Sequence, residues 1–78
     1  MDNLLSGKGS RLADFVKDRR KKSGLSQEDF AKKAGVGLRF LRDLEQGKKT
    51  LRMDKVNQVL WMFDSELGPV AISKEIDG

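Results

Sequence analysis

Apolar residues in this chain fall into short runs at helical spacing, separated by glycines. Leu12, Phe15 and Val16 recur at i, i+3 and i+4 behind Ser10, whose hydroxyl can cap a helix N-terminus. The spacing predicts a first helix from Arg11 to Ser23, ended by Gly24, with Arg19, Arg20, Lys21 and Lys22 in the last turn, where cations meet the negative end of the helix dipole. A second helix is predicted from Gln27 to Ala34. Ser26 opens it, with Asp29 in the place of a capping-box acid; Phe30 and Ala31 give it an apolar side, and Gly35 stops it. Gly37 follows so closely that only a tight turn fits between, with Val36 pointing inward as a plug. A third helix starts at Leu38, carries Leu41 and Leu44 as a narrow inner stripe, and closes at Gly47. After the polar loop Lys48, Lys49 and Thr50, a fourth helix is predicted from Arg52 to Phe63, with Met53, Val56, Leu60 and Phe63 facing the core and the break lying between Ser65 and Pro69. The expected fold is therefore an all-α helix-turn-helix bundle of four helices over residues 10–68, with residues 1–9 as a flexible leader and 69–78 as a C-terminal strand and tail.

The second half of the fourth helix has more apolar surface than one face can bury, because Val59, Trp61 and Met62 lie outside the core-facing stripe. Beyond the Gly68-Pro69 break, Val70, Ala71 and Ile72 have strand character, yet so short a strand cannot hold a sheet together within its own chain. A two-fold dimer supplies partners for both. Val59, Trp61 and Met62 are expected in its interface, and Val70, Ala71 and Ile72 in an antiparallel ribbon across it. For Trp61 the competing reading is an ordinary core position.

A chain of 78 residues has room for one core. It contains no cysteine and no histidine, which removes disulfides, thiolate zinc sites, thiol nucleophiles and the commonest metal ligand and acid–base residue. No serine stands beside a plausible base, and no glycine-rich phosphate loop follows a strand, so neither an enzyme nor a bound metal or cofactor is expected. The first residues hold no apolar run of signal-peptide length, and nothing approaches the roughly 18 apolar residues of a membrane span. A cytoplasmic protein without membrane contact is expected.

The net charge of +4 conceals an asymmetry: residues 1–52 carry 14 Lys and Arg against 7 Asp and Glu, whereas residues 53–78 carry 2 against 5. A basic body with an acidic end points to a polyanion on one side, although a solvated lysine-rich face would give the same count. Spacing decides between them. In a helix-turn-helix unit the second helix of the pair lies in the DNA major groove while the first braces it against the backbone. With Leu41 and Leu44 facing inward, Leu38, Arg39, Arg42, Asp43 and Gln46 fall on the outer arc of the third helix. Arg39 and Arg42 can each give bidentate hydrogen bonds to guanine, and Leu38 can pack on a thymine methyl. Asp43 either accepts from cytosine N4 or pairs with Arg39 or Arg42 on its own helix. Gln27, in the first turn of the second helix, can hold a phosphate oxygen through its amide, and Lys48, Lys49 and Thr50 can do so from the following loop.

The run Ser26-Gln27-x-x-Phe30-Ala31, Ala34-Gly35-Val36 and Leu41-x-x-Leu44-Glu45-x-Gly47 resembles, nearly position for position, the lambda-repressor-like (Cro/C1, or XRE) helix-turn-helix family. That resemblance implies a buried ion pair between Arg20 and Glu45, which would orient the third helix. Two positions depart from the family's pattern. Gly37 stands where a serine or threonine usually caps the recognition helix and touches phosphate, and Phe40 stands where a small or polar residue is usual, as if to fill a gap beside the fourth helix. The segment from Gln46 to Leu60 further resembles the HipB-type antitoxins. This implies a homodimeric repressor on a palindromic double-stranded operator, with a HipA-type kinase toxin as partner. A free-standing phage-type repressor and a protein-bridging adaptor with the same fold are the alternatives.

Overall fold

A computed structural model describes residues 10–70; the expected leader at 1–9 and the residues Ala71 and Ile72 lie outside the described residues. Four α-helices follow one another: α1 (Ser10–Lys22), α2 (Gln27–Ala34), α3 (Leu38–Glu45) and α4 (Met53–Leu60), the last running into a 3-10 turn at Trp61–Phe63. α1 begins one residue earlier than expected, at Ser10. α3 packs against both α1 and α2, and α4 packs against α2.

Chain reversals are made in one way throughout. Gly35 adopts a left-handed conformation (φ 77°), its N–H donates to Lys32 O, and the Val36 N–H donates to Ala31 O at 3.0 Å, a Schellman ending that turns Val36 into the core. The same pair of hydrogen bonds closes α3 around Gly47 (φ 84°), with Gly47 N–H to Leu44 O and Lys48 N–H to Asp43 O. After the 3-10 turn the left-handed position is taken by Asp64 (φ 55°), with Asp64 N–H to Trp61 O and Ser65 N–H to Leu60 O. Asp tolerates this region better than most residues with a Cβ. At the other end of α2, Ser26 Oγ accepts from Asp29 N–H at 3.1 Å, as expected of its cap.

Val16, Phe30, Leu41, Leu44 and Val59 are the largest fully buried side chains, drawn from all four helices. Phe63 closes the core from the 3-10 turn, stacked on Phe30 (centroids 5.4 Å apart) and edge-on to Phe15 (6.1 Å). Phe40 is half-buried and packs against this core. Gln58 of α4 reaches back to α2, its Nε2 donating to Ala34 O at 3.1 Å and to Gly35 O at 2.9 Å. A Cβ at position 35 would stand 3.0 Å from that nitrogen, so the left-handed turn and the side chain that satisfies its carbonyls share one small space.

Three expectations for the fourth helix need correction. Met53 does not face the core: it is the first residue of α4 and is 70% exposed, while Leu51, just before the helix, packs inward in its place. Val59 does not need a partner chain, because it is fully buried among its own helices. The α-helix ends at Leu60, not Phe63. With three residues per turn, a 3-10 segment holds Phe63 in line with Leu60, so both point inward, and Trp61 (58% exposed) and Met62 (39%) are left outside. Trp61 is therefore not a core residue of the single chain. Val70 lies in exposed chain without secondary structure, and the strand expected from it through Ala71 and Ile72 falls largely outside the described residues.

Placing Val59 in the core of one chain has a thermodynamic signature. Val59→Ala is expected to destabilise folding by about 1 to 3 kcal/mol. Thermal unfolding at several protein concentrations would show the same loss at each, whereas an interface residue would show a loss that shrinks on dilution.

Candidate nucleic-acid interface

The outer face of α3 is set from its buried end. Glu45, the last residue of α3, lies within the fold and receives Arg20 of α1 in a two-pronged contact, Nε to Oε2 at 2.7 Å and Nη2 to Oε1 at 2.9 Å. Arg20 Nη1 also donates to Leu25 O at 2.8 Å, and Gln27 Nε2 donates to Glu45 Oε1 at 3.0 Å. The ion pair implied by the resemblance is thus present, and it extends to the α1–α2 loop and the first turn of α2. Burial works against ionisation of Glu45. The hydrogen bonds from Arg20 and Gln27, with the positive charges of Arg20 and Lys17, outweigh it and hold the carboxyl below its ordinary range. The hydrogen bonds that Arg20 donates to Glu45 in turn raise the Arg20 pKa.

Gln27 is where the structure adds to the sequence reading. Its amide was expected to face a phosphate, yet one of its N–H groups is spent inside the fold on Glu45. No local pattern announces this, because the two residues meet only after α2 and α3 have packed.

With its C-terminal end fixed in this way, α3 exposes Arg39 and Arg42, with Gln46 exposed just beyond it, and leaves Leu38 and Asp43 half-exposed. Gly37 caps α3 without a side-chain hydrogen bond, and a Cβ there would meet nothing within 4 Å. Lys48, Lys49 and Thr50 are exposed immediately after the helix. Asp43 pairs with neither Arg39 nor Arg42 among the described residues. Its partner is Lys48, whose Nζ lies 3.6 Å from Asp43 Oδ2.

Several of the basic residues already have partners within the chain. Arg20 is buried, the Lys22 ammonium lies 3.2 Å from Asp18, Arg52 is paired with Asp54, and the Arg19 guanidinium lies 4.8 Å over the Phe15 ring. Among the described residues no cluster of three or more acidic, cysteine or histidine side chains could hold a metal, and no helix is long and apolar enough to cross a membrane.

Residues 16–60 match the helix-turn-helix family, which takes in α2, α3, α4 and most of α1. The chain belongs to the helix-turn-helix family of the Cro/C1 (XRE) type. It is 56% identical over 49 residues to the uncharacterized HTH-type transcriptional regulator y4mF of Sinorhizobium fredii (strain NBRC 101917 / NGR234), a match covering 63% of this chain. The chain spans 64% of that relative's length. The helix-turn-helix match ends at Leu60, so the exposed Trp61 and Met62 lie just beyond the family's common part.

The buried pair makes stability depend on acid. Because the Glu45 carboxyl is held low in the folded state, its contribution is complete above the ordinary glutamate pKa of about 4.3 and is lost as pH falls through the depressed folded value. Glu45→Ala, which leaves Arg20 charged and buried, is expected to cost about 3 to 5 kcal/mol at neutral pH. Denaturant unfolding from pH 7 to pH 3 checks both. A Glu45→Ala variant as stable as the parent, or a parent whose stability is flat across that range, would refute the assignment.

Proposed function

We propose that this protein binds duplex DNA as a homodimer and represses transcription, with α3 in the major groove. The observation that carries the reading is the pair Arg39 and Arg42, both exposed on an α3 whose buried end is clamped by Arg20, Glu45 and Gln27. A guanidinium reads guanine through two parallel hydrogen bonds, which demands a helix that neither rolls nor slides, and a buried charged clamp meets that demand. Family membership and the relative named as a transcriptional regulator support the same conclusion.

Dimerisation is supported by Trp61 and Met62, two large apolar residues exposed side by side at the end of α4, with Val70 exposed further on. A two-fold axis beside them would present two copies of α3 to successive major grooves, about 34 to 36 Å apart, on a palindromic operator. The finer reading, an antitoxin that autoregulates the operon of a HipA-type kinase, rests on the resemblance of the segment from Gln46 to Leu60. Co-expression with the product of the neighbouring gene tests it, and an isolated repressor gene would favour the phage-type alternative.

Arg39→Ala is expected to weaken binding to the operator by about 1 to 3 kcal/mol with little effect on a scrambled duplex. Lys49→Ala should weaken both alike and lower the salt slope by about 1. Titration of both duplexes separates these, and equal losses for Arg39→Ala would remove it from the groove. A dimer making roughly 6 to 10 phosphate contacts should lose about 10³ to 10⁵ in affinity between about 50 and 200 mM salt, and a flat response would favour the protein-bridging adaptor.

For assembly, Trp61→Glu should leave the helical signal intact but shift the protein to monomers by analytical ultracentrifugation, with poor binding to the palindrome. A Trp61→Glu variant that stays dimeric would exclude the proposed interface.

A further inference from the structure

Asp43 is out of place on a surface meant for a polyanion. It is the one acidic residue on the outer face of α3, since Glu45 is buried, and it follows directly on Arg42. In a major groove its carboxylate would stand within a Debye length, about 10 Å at 0.1 M salt, of several phosphates. The fold supplies a counterion by a backbone route. The Schellman ending around Gly47 brings the Lys48 N–H to the Asp43 carbonyl at 3.0 Å, and the Lys48 ammonium then lies 3.6 Å from the Asp43 carboxylate. The helix ending, not the ion pair, sets this placement, because an exposed pair contributes little to stability.

We propose that Lys48 is a positioning residue that neutralises Asp43, and not an independent phosphate ligand. The two act as a unit of no net charge, which lets α3 carry an acceptor for a cytosine N4 donor into the field of the DNA. Lys49, exposed and without an ion pair among the described residues, keeps its full charge for phosphate. The inference rests on the DNA-binding reading above and refines it.

A double-mutant cycle on a short random-sequence duplex at low salt tests it, since non-specific binding reports charge without requiring the operator. Lys48→Gln is expected to weaken binding about threefold to tenfold, largely by uncovering the carboxylate. Asp43→Asn should restore Lys48→Gln to within about twofold of the parent, because it removes the uncovered carboxylate. Lys48→Arg, which keeps the cation, should bind within about twofold of the parent. The slope of log affinity against log salt should be the same for the Lys48→Gln/Asp43→Asn double variant as for the parent, whereas Lys49→Gln should reduce it by about 0.9. Helical circular dichroism of each variant checks that the fold is intact. If the Lys48→Gln/Asp43→Asn double variant stays as weak as Lys48→Gln, with its salt slope lowered by about 0.9, Lys48 is an independent phosphate ligand and the proposal is overturned while DNA binding stands. If the parent binds no duplex, the DNA-binding reading fails and this inference fails with it.

Discussion

The arrangement depends on one buried pair of charges. Hydrophobic contact is not directional, and a short helix such as α3, held by Leu41, Leu44 and the half-buried Phe40, could roll by a few tens of degrees without losing much buried area. Charges taken out of water allow no such latitude, because each oxygen and N–H left without a partner carries its full desolvation cost. Arg20 and Glu45 meet this requirement with two hydrogen bonds to each other, one from Arg20 to Leu25 O and one to Glu45 from Gln27. A rotation of α3 that would barely disturb the core would break several of them at once. The orientation of the exposed arginines is thus decided at the buried C-terminal end of the helix, by residues other than the arginines themselves.

The other organising feature is the way α4 ends. Tightening into a 3-10 turn keeps Leu60 and Phe63 on the core side and lets Phe63 join Phe30 and Phe15, at the expense of leaving Trp61 and Met62 in solvent. Asp64 then turns the chain back, and the Leu67 N–H is held by Asn57 Oδ1 at 2.7 Å, so the segment after the turn lies along α4 instead of trailing away. The apolar surface that remains is compact, and it stands on a scaffold fixed from both sides.

Much of this was legible in the sequence because it is encoded locally. Glycines 24, 35 and 47 mark helix ends, Ser26 marks a helix start, and the bounds of α2 follow from those signals alone. The misreadings share a cause. Met53 fits a helical stripe by spacing, but a stripe does not reveal where the helix begins, and Leu51 takes the inward place at that end. Val59 was surplus to a stripe counted at i, i+3 and i+4, yet α4 is embedded on more than one side and buries it. Gln27 to Glu45, Gln58 to the end of α2, and Lys48 to Asp43 were not legible, since each depends on how the chain turns or packs and not on a local pattern.

The link from Gln58 to the carbonyls of Ala34 and Gly35 has a mechanical consequence. It ties α4 to the C-terminal end of α2, beside the turn from which α3 departs, and so couples the helix that leads to Trp61 to the start of the helix bearing Arg39. A dimer joined at the surface bearing Trp61 would hold its two reading helices like the jaws of a fixed calliper. Duplexes whose half-sites fall out of phase with the jaws could be bound only by bending or twisting themselves. The stiffness of base pairs that the protein never touches would then enter into the choice of site.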